Sequence, residues 1–312
     1  MKSIMSFTDI SVEDFYPLLS RAEKLKALIK SDKCPDVLNG KVVGLLFEKP
    51  STRTRTSFET AAFRLGADPL YMAGAELQLS RGEPIKDTAR VLGGYLDAIV
   101  ARVYSHDTVL QLSRHSGLPT INGLSDLEHP TQLVSDMLTI MEVKGRIEGL
   151  NVSYIGDGNN VANSLLLACA TGGANATIAC PKGYEPNASI LANAKRIGSK
   201  TGSKIRILND PHEAAHHADV LYTDVWVSMG QESETRKKMK VFKGYQINGE
   251  LIRAAKKDVS VMHCLPAHRG LEITEEALEG KHSIAWQQAE NKVYGAAAIL
   301  EMSMNNNSRK RK

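Results

Sequence analysis

Short apolar runs recur along this chain, at 42–47, 98–103, 152–156, 176–180, 204–208, 219–223 and 259–262. Between them lie stretches with helical spacing of apolar residues, at 53–65, 107–116, 130–144, 161–171 and 187–198. A strand that must pair in parallel with the next one needs a crossover of about a dozen residues, which a helix supplies. Runs that are apolar throughout, without in–out alternation, belong to strands buried on both faces. The pattern predicts an α/β chain of parallel sheets flanked by helices.

The length, 312 residues, exceeds one typical core, so two domains of roughly 130–160 residues are expected. The segment "VKGRIEGLNVSYIGDG" restarts the pattern after Gly145 and Gly149, which places the boundary near 145. The expected divisions are 1–145, 146–286, and 287–312 as a last helix returning to the first domain plus a basic tail. Near the start, Ser11 and Asp14 form an N-cap signal ahead of Phe15, Leu18, Leu19, Ala22, Leu25, Leu28 and Ile29 at helical spacing.

Composition narrows the function classes. Charged residues make up 24% and hydrophobic ones 42%, as in ordinary globular proteins. The net charge of +4 is mild, and part of it sits in the tail "SRKRK", read as a solvated end and not a nucleic-acid patch. No apolar stretch approaches the roughly 20 residues of a membrane span. The start "MKSIMSFTDISVEDF" has neither a secretory apolar core nor transit-peptide character. Cys34, Cys169, Cys180 and Cys264 show no metal or disulfide spacing. These features predict a cytoplasmic protein that binds neither nucleic acid nor membrane.

Ligands of open α/β sheets bind beyond the carboxyl ends of strands, and the unusual polar clusters of this chain fall there. "FEKPSTRTRTSFET" follows "VVGLLF" with seven consecutive polar residues, Ser51 to Ser57. A helix start offers unpaired N–H groups and the positive end of a dipole. Ser51, Thr52, Thr54 and the planar fork of Arg53 would complete a phosphate cradle there. The competing reading is a merely capped helix with solvated arginines, although two arginines in a first turn oppose the dipole unless an anion is present. No Walker-type GKS/T spacing accompanies the run. "GDGNNVANS" invites a dinucleotide reading, but G-x-G-x-x-G/A fails by one position and Ile178 to Pro181 stand where an acidic residue is expected. Asn159 and Asn160 instead offer amides suited to a carboxylate or an amine. His129 and Gln132 in "HPTQ" aim at one spot. Cys264 alone would be a small buried hydrophobe, but His263, Pro266, His268 and Arg269 surround it. Trp226 and Trp286 are expected in core or interface positions.

Taken in order, "STRTRTSFE", "HPTQ", "DGNNVANS", "DVWVSMG" and "MHCLPAHRG" resemble the aspartate/ornithine carbamoyltransferase family along essentially the whole chain. "HCLPAHRG" and "SMG" resemble the ornithine-type members. The aspartate-type members carry an "HPLPR"-like segment in place of the first, and putrescine enzymes differ at the second.

The resemblance implies that the δ-amine of L-ornithine attacks carbamoyl phosphate, giving L-citrulline and phosphate, without a cofactor or metal. Putrescine is the alternative amine. It further implies that Ser51, Thr52, Arg53 and Thr54 hold the phosphate, while Arg102, His129 and Gln132 hold the carbamoyl end. Asn160, Asp224, Ser228 and Met229 correspond to the ornithine positions. Cys264 and Leu265 correspond to the segment facing the reacting amine and the carbamoyl group. Arg102, His129 and Cys264 are the catalytic candidates. Gln78 matches a residue reaching a neighbouring subunit, so a homo-oligomer, a trimer with shared sites, is expected. Lys292 stands where these enzymes have an arginine touching carbamoyl phosphate. It either reaches the ligand as a point charge or is solvated on the last helix.

Overall fold

The computed structural model describes residues 2–227 and 235–305. The chain divides into two compact units, one formed by 1–138 with 290–312 and the other by 139–289.

In the first unit β1 (Val42–Phe47), β2 (Asp68–Ala73), β3 (Ala98–Arg102) and β4 (Thr120–Leu124) form a parallel sheet in the order β2-β1-β3-β4. The helices α1 (Val12–Lys30), α2 (Thr52–Arg64), α3 (Ile85–Tyr95), α4 (His106–Ser116) and the start of α5 (Pro130–Lys144) belong with it. β1 and β3 are buried almost throughout, as their unbroken apolar runs require. Ser11 caps α1 by accepting from the Asp14 N–H, and Phe15, Leu18, Leu19, Ala22, Leu25 and Ile29 form its buried stripe.

The last helix, α12 (Ala285–Met304), has its residues from Glu290 onward in this first unit. Arg21 of α1 donates through two nitrogens to Glu301, at 2.8 and 3.0 Å. Lys26 donates to Asn291 at 2.8 Å, and Lys30 pairs with Glu290 at 2.6 Å. On α5, Ser135 packs against Gly295. A Cβ there would lie 2.5 Å from the Ser135 Oγ and 3.3 Å from its Cα, so a larger residue would have to displace the Ser135 hydroxyl and push α5 back by a few tenths of an ångström.

In the second unit β5 (Asn151–Ile155), β6 (Asn175–Ala179), β7 (Ile205–Leu208), β8 (Val220–Thr223) and β9 (Ser260–His263) form a parallel sheet in the order β7-β6-β5-β8-β9. Its helices are α6 (Asn160–Gly172), α7 (Ala188–Thr201), α8 (Pro211–Ala215), α9 (Thr235–Val241), α10 (Gly249–Ala254) and α11 (Glu275–Glu279). Helix α6 is buried from Val161 to Gly172, and a core of Ile155, Leu221, Leu251, Val261 and Leu278 covers one side of the sheet.

Strand order fixes where each unit can hold a ligand. In the first sheet the chain leaves β1 on one side to form β2, and returns on the other side of β1 to form β3. In the second, β6 and β7 lie on one side of β5, and β8 and β9 on the other. Helices leaving two adjacent strands in opposite directions open a crevice at the strands' carboxyl ends. Those ends are Phe47 and Arg102 in one unit, and Ile155 and Thr223 in the other.

Candidate active site

In the first unit, Ser51 caps α2, accepting from the Thr54 N–H at 3.2 Å. Its hydroxyl proton remains available to an anion, as do the first N–H groups of a helix, which have no carbonyl behind them. Thr54 is buried, and its Oγ1 accepts from Arg102 Nη1 at 3.4 Å, joining the end of β3 to the start of α2. Arg53 is half-buried and Thr52 exposed. Arg55 turns away. Its Nε donates to Glu59 at 2.9 Å, and its guanidinium lies 3.5 Å from the Tyr71 ring centre. One of the two arginines that oppose the helix dipole is thus paired within its own helix.

Pro130 opens α5, a position where a missing N–H costs nothing. His129 before it is buried, with Thr131 Oγ1 3.5 Å from its Nδ1. Burial, with Lys292 and Arg102 beside it, holds its pKa well below the ordinary histidine value. The ring is therefore neutral at neutral pH and donates one N–H without bringing a charge of its own. Gln132 is buried as well. Its Nε2 donates to Asp136 at 2.8 Å, and its Oε1 accepts from Lys292 Nζ at 2.5 Å. Lys292 is only 6% exposed, which overturns the solvated reading of that lysine.

In the second unit, the crevice between β5 and β8 holds a carboxylate. Asp224 Oδ2 accepts from Asn159 Nδ2 at 2.8 Å, and its Oδ1 accepts from the Cys264 thiol at 3.0 Å. Asn159 serves twice, because its Oδ1 also caps α6 by accepting from the Val161 and Ala162 N–H groups. Those are the groups a dinucleotide pyrophosphate would need at this helix start. Gly158 is likewise explained by packing: a Cβ there would lie 2.4 to 2.5 Å from the backbone of Tyr184, Glu185 and Pro186. Asn160 opens α6 and is half-buried.

Beyond β9, Leu265 takes a φ of +59°, a left-handed conformation, and its peptide to Pro266 is cis. The Leu265 N–H donates to His263 Nδ1 at 2.8 Å, so Nδ1 is an acceptor and the ring proton sits on Nε2, 3.0 Å from buried Glu272. Asp224, His263 and Cys264 have potential metal-ligating atoms within 4.8 Å of one another. Here both His263 nitrogens are engaged with protein partners and the Cys264 thiol is given to Asp224. A thiol donating to a carboxylate is not poised as a nucleophilic thiolate, which needs neighbouring positive charge.

Asp157, two residues before Asn159, pairs with Lys238 of α9 at 2.6 Å, both buried. Gln78 is exposed on a short turn, Gln78–Arg81. Ser228 and Met229 lie outside the described residues. Of the tryptophans, Trp226 is buried and Trp286 is 53% exposed.

Sequence reasoning missed Asn159 as the partner of Asp224, Asp136 as the partner of Gln132, and Glu272 as the partner of His263. Only Asp136 carried a local signal, since residues four apart on a helix face each other.

Both clusters fall within segments that match known protein families. Residues 2–142 match the carbamoyl-P binding domain of aspartate/ornithine carbamoyltransferases, and residues 148–303 match their Asp/Orn binding domain. The chain is 49% identical over 299 residues to ornithine carbamoyltransferase of Methanosarcina acetivorans, covering 96% of this chain and 98% of that one. Ornithine carbamoyltransferase from Pyrococcus furiosus superposes with a TM-score of 0.94 at 45% identity, covering 97% of each chain. Anabolic ornithine carbamoyltransferase from Campylobacter jejuni superposes at 0.92 with 40% identity, covering 98% of this chain and 100% of that one. With both clusters standing in the matched domains, the chain belongs to the aspartate/ornithine carbamoyltransferase family.

Proposed function

We propose that this protein is an ornithine carbamoyltransferase, which transfers the carbamoyl group of carbamoyl phosphate to the δ-amine of L-ornithine and releases L-citrulline and phosphate. The observation that carries the reading is chemical sorting between the two crevices. One holds hydroxyls, a helix start and arginines, which suit a phosphate. The other holds a buried carboxylate with neutral amides, which suits an ammonium and a carboxylate.

Ser51, Thr52, Arg53 and Thr54 hold the phosphate, and Arg102, His129 and Gln132 hold the carbamoyl end. Attack on the carbonyl carbon pushes negative charge onto its oxygen. Arg102, Thr54 and the neutral His129 are fixed donors for that charge. Phosphate is a good leaving group, so orientation and charge stabilisation carry the step without a covalent intermediate. The δ-amine has a pKa of about 10 in water, like lysine, and must lose a proton before attack. Cys264 and the Leu265 carbonyl serve the reacting amine, and removal from water favours its neutral form. Asp224 takes the α-ammonium and Asn160 the α-carboxylate, with Ser228 and Met229 in the same role.

The active form is a homotrimer in the cytoplasm, engaged in arginine biosynthesis. The edge strand β2 carries exposed Leu70, α2 carries Phe63 at 72% exposure, and α3 carries Val91 and Tyr95. Such apolar surface around a strand edge asks for a covering partner. Gln78, exposed on its turn, is the residue offered to a neighbouring subunit. All four cysteines are free thiols, as a reducing compartment allows.

Asp224→Asn tests the amine assignment. Losing a charge-assisted bond should lower kcat/KM for ornithine about 10- to 100-fold, and leave carbamoyl phosphate binding intact. Putrescine lacks the α groups, so its slow turnover should barely change. Equal losses for both amines would remove Asp224 from recognition of the amino-acid end.

A further inference from the structure

The amide of Gln132 sits between two charges. Lys292 Nζ donates to its Oε1 at 2.5 Å, and its Nε2 donates to Asp136 Oδ1 at 2.8 Å. All three side chains are buried: Asp136 is 0%, Gln132 2% and Lys292 6% exposed. A side-chain amide can make two donor and two acceptor contacts. Rotating this one by half a turn would set its carbonyl against a carboxylate and its NH2 against an ammonium. In a low-dielectric interior that alternative is strongly disfavoured. One N–H and one carbonyl lone pair of Gln132 therefore remain, and their directions are settled by groups that need not touch the ligand.

The frame behind this arrangement is built from two packed helices. Asp136 and Gln132 face each other one turn apart on α5, while Lys292 comes from α12, which Gly295 seats directly on Ser135 of α5. The contacts of Arg21, Lys26 and Lys30 tie that helix to α1 as well.

We propose that Asp136 and Lys292 are positioning residues that lock the Gln132 amide so that it reads the NH2 group of the carbamoyl moiety. On this account the series sets selectivity for carbamoyl phosphate over acetyl phosphate. The two molecules share a phosphate and a carbonyl, and differ in an NH2 against a methyl. A carbonyl lone pair held rigidly accepts from NH2 and gains nothing from CH3. A site built to hydrogen-bond a group discriminates strongly against an analogue lacking it, because its own polar atoms are then left unpaired. A freely rotating amide would lose part of that discrimination by turning. On this account the lysine sets selectivity through its bond to Gln132. This inference rests on the carbamoyl-transfer reading of the same site.

The test measures dissociation constants of carbamoyl phosphate, acetyl phosphate and inorganic phosphate by calorimetry, for the full-length protein and its variants. Asp136→Asn and Lys292→Met should each lower the carbamoyl-to-acetyl preference about tenfold, the equivalent of one charge-assisted bond. Inorganic phosphate should bind as before. Lys292→Arg retains a donor for Oε1 and should keep the preference. Combining either variant with Gln132→Leu should add nothing to the loss caused by Gln132→Leu alone, since both act through that amide. Thermal melts identify a variant that has lost its fold, in which case Lys292→Arg and the Gln132→Leu combination with the other residue decide the matter. An unchanged preference, additive losses in the double variants, or an equal loss of inorganic phosphate would each overturn the inference alone. Failure of the unmodified protein to bind carbamoyl phosphate would overturn the parent reading with it.

Discussion

Arg102→Ala is expected to fold normally and to lose about 10²–10³ in kcat, the usual cost of removing one preorganised donor to a developing oxyanion. Arg102 is buried at the carboxyl end of β3, where its Nη1 donates to Thr54. Its loss acts twice. The carbonyl oxygen loses a cationic donor, and His129 loses one of the two charges that oppose its protonation. The His129 pKa should then rise towards the ordinary value, so that acid inhibition sets in at higher pH than in the unmodified protein. Arg102→Lys should recover part of kcat, because lysine supplies charge without the planar fork. Steady-state rates of citrulline formation across pH provide both readouts. A kcat within a few-fold of the unmodified value would contradict the assignment of Arg102 to the reacting centre.

The largest expected effect on stability comes from Lys238→Met. Lys238 and Asp157 form an ion pair at 2.6 Å, with exposures of 2% and 7%. Removing one member of a buried pair leaves the other charge desolvated without its counter-ion, at a cost of about 3–5 kcal/mol. Replacing both, as Asp157→Leu with Lys238→Met, should recover much of that, since well-packed apolar groups carry no desolvation penalty. Both tryptophans, Trp226 and Trp286, lie in the second unit, so intrinsic fluorescence during urea unfolding reports on that unit. A shift of less than about 1 kcal/mol for Lys238→Met would mean that water reaches Asp157 and that the pair behaves as a surface one.

The elements legible in the sequence were those whose burial follows from local pattern. The run at 42–47 is β1, and the run read at 152–156 is β5, displaced by one residue. Strand β2 escaped notice because it is an edge strand with an exposed Asp68 and a Pro69, tolerated there but discouraging on any propensity scale. Strand β4, "TINGL", carries Asn122 and Gly123 in a buried position. It works because the Asn122 amide donates to the Met5 carbonyl at 2.9 Å, and Ile4 pairs alongside Ile121. Nothing near 120–124 announces that remote partner. Helix α3 contains Gly93 and Gly94, which read as a break until α4 packs against it.

The site divides in the same manner. The polar clusters after β1, β3, β5, β8 and β9 stand out in sequence because each follows an apolar run. Their partnerships do not, because strand order decides them. Thr54 meets Arg102, and Asn159 meets Asp224, because β1 neighbours β3 and β5 neighbours β8. The burial of Lys292 follows from the seating of α12 on α5. A lysine eight residues into a helix carries no such information.

The central claim is tested most directly by incubating the purified protein with carbamoyl phosphate and L-ornithine, with putrescine as a parallel amine, and measuring carbamoylated product and phosphate. The account predicts citrulline and phosphate in equal amounts, formed much faster than carbamoyl putrescine. Absence of citrulline, or faster turnover of putrescine, would contradict it.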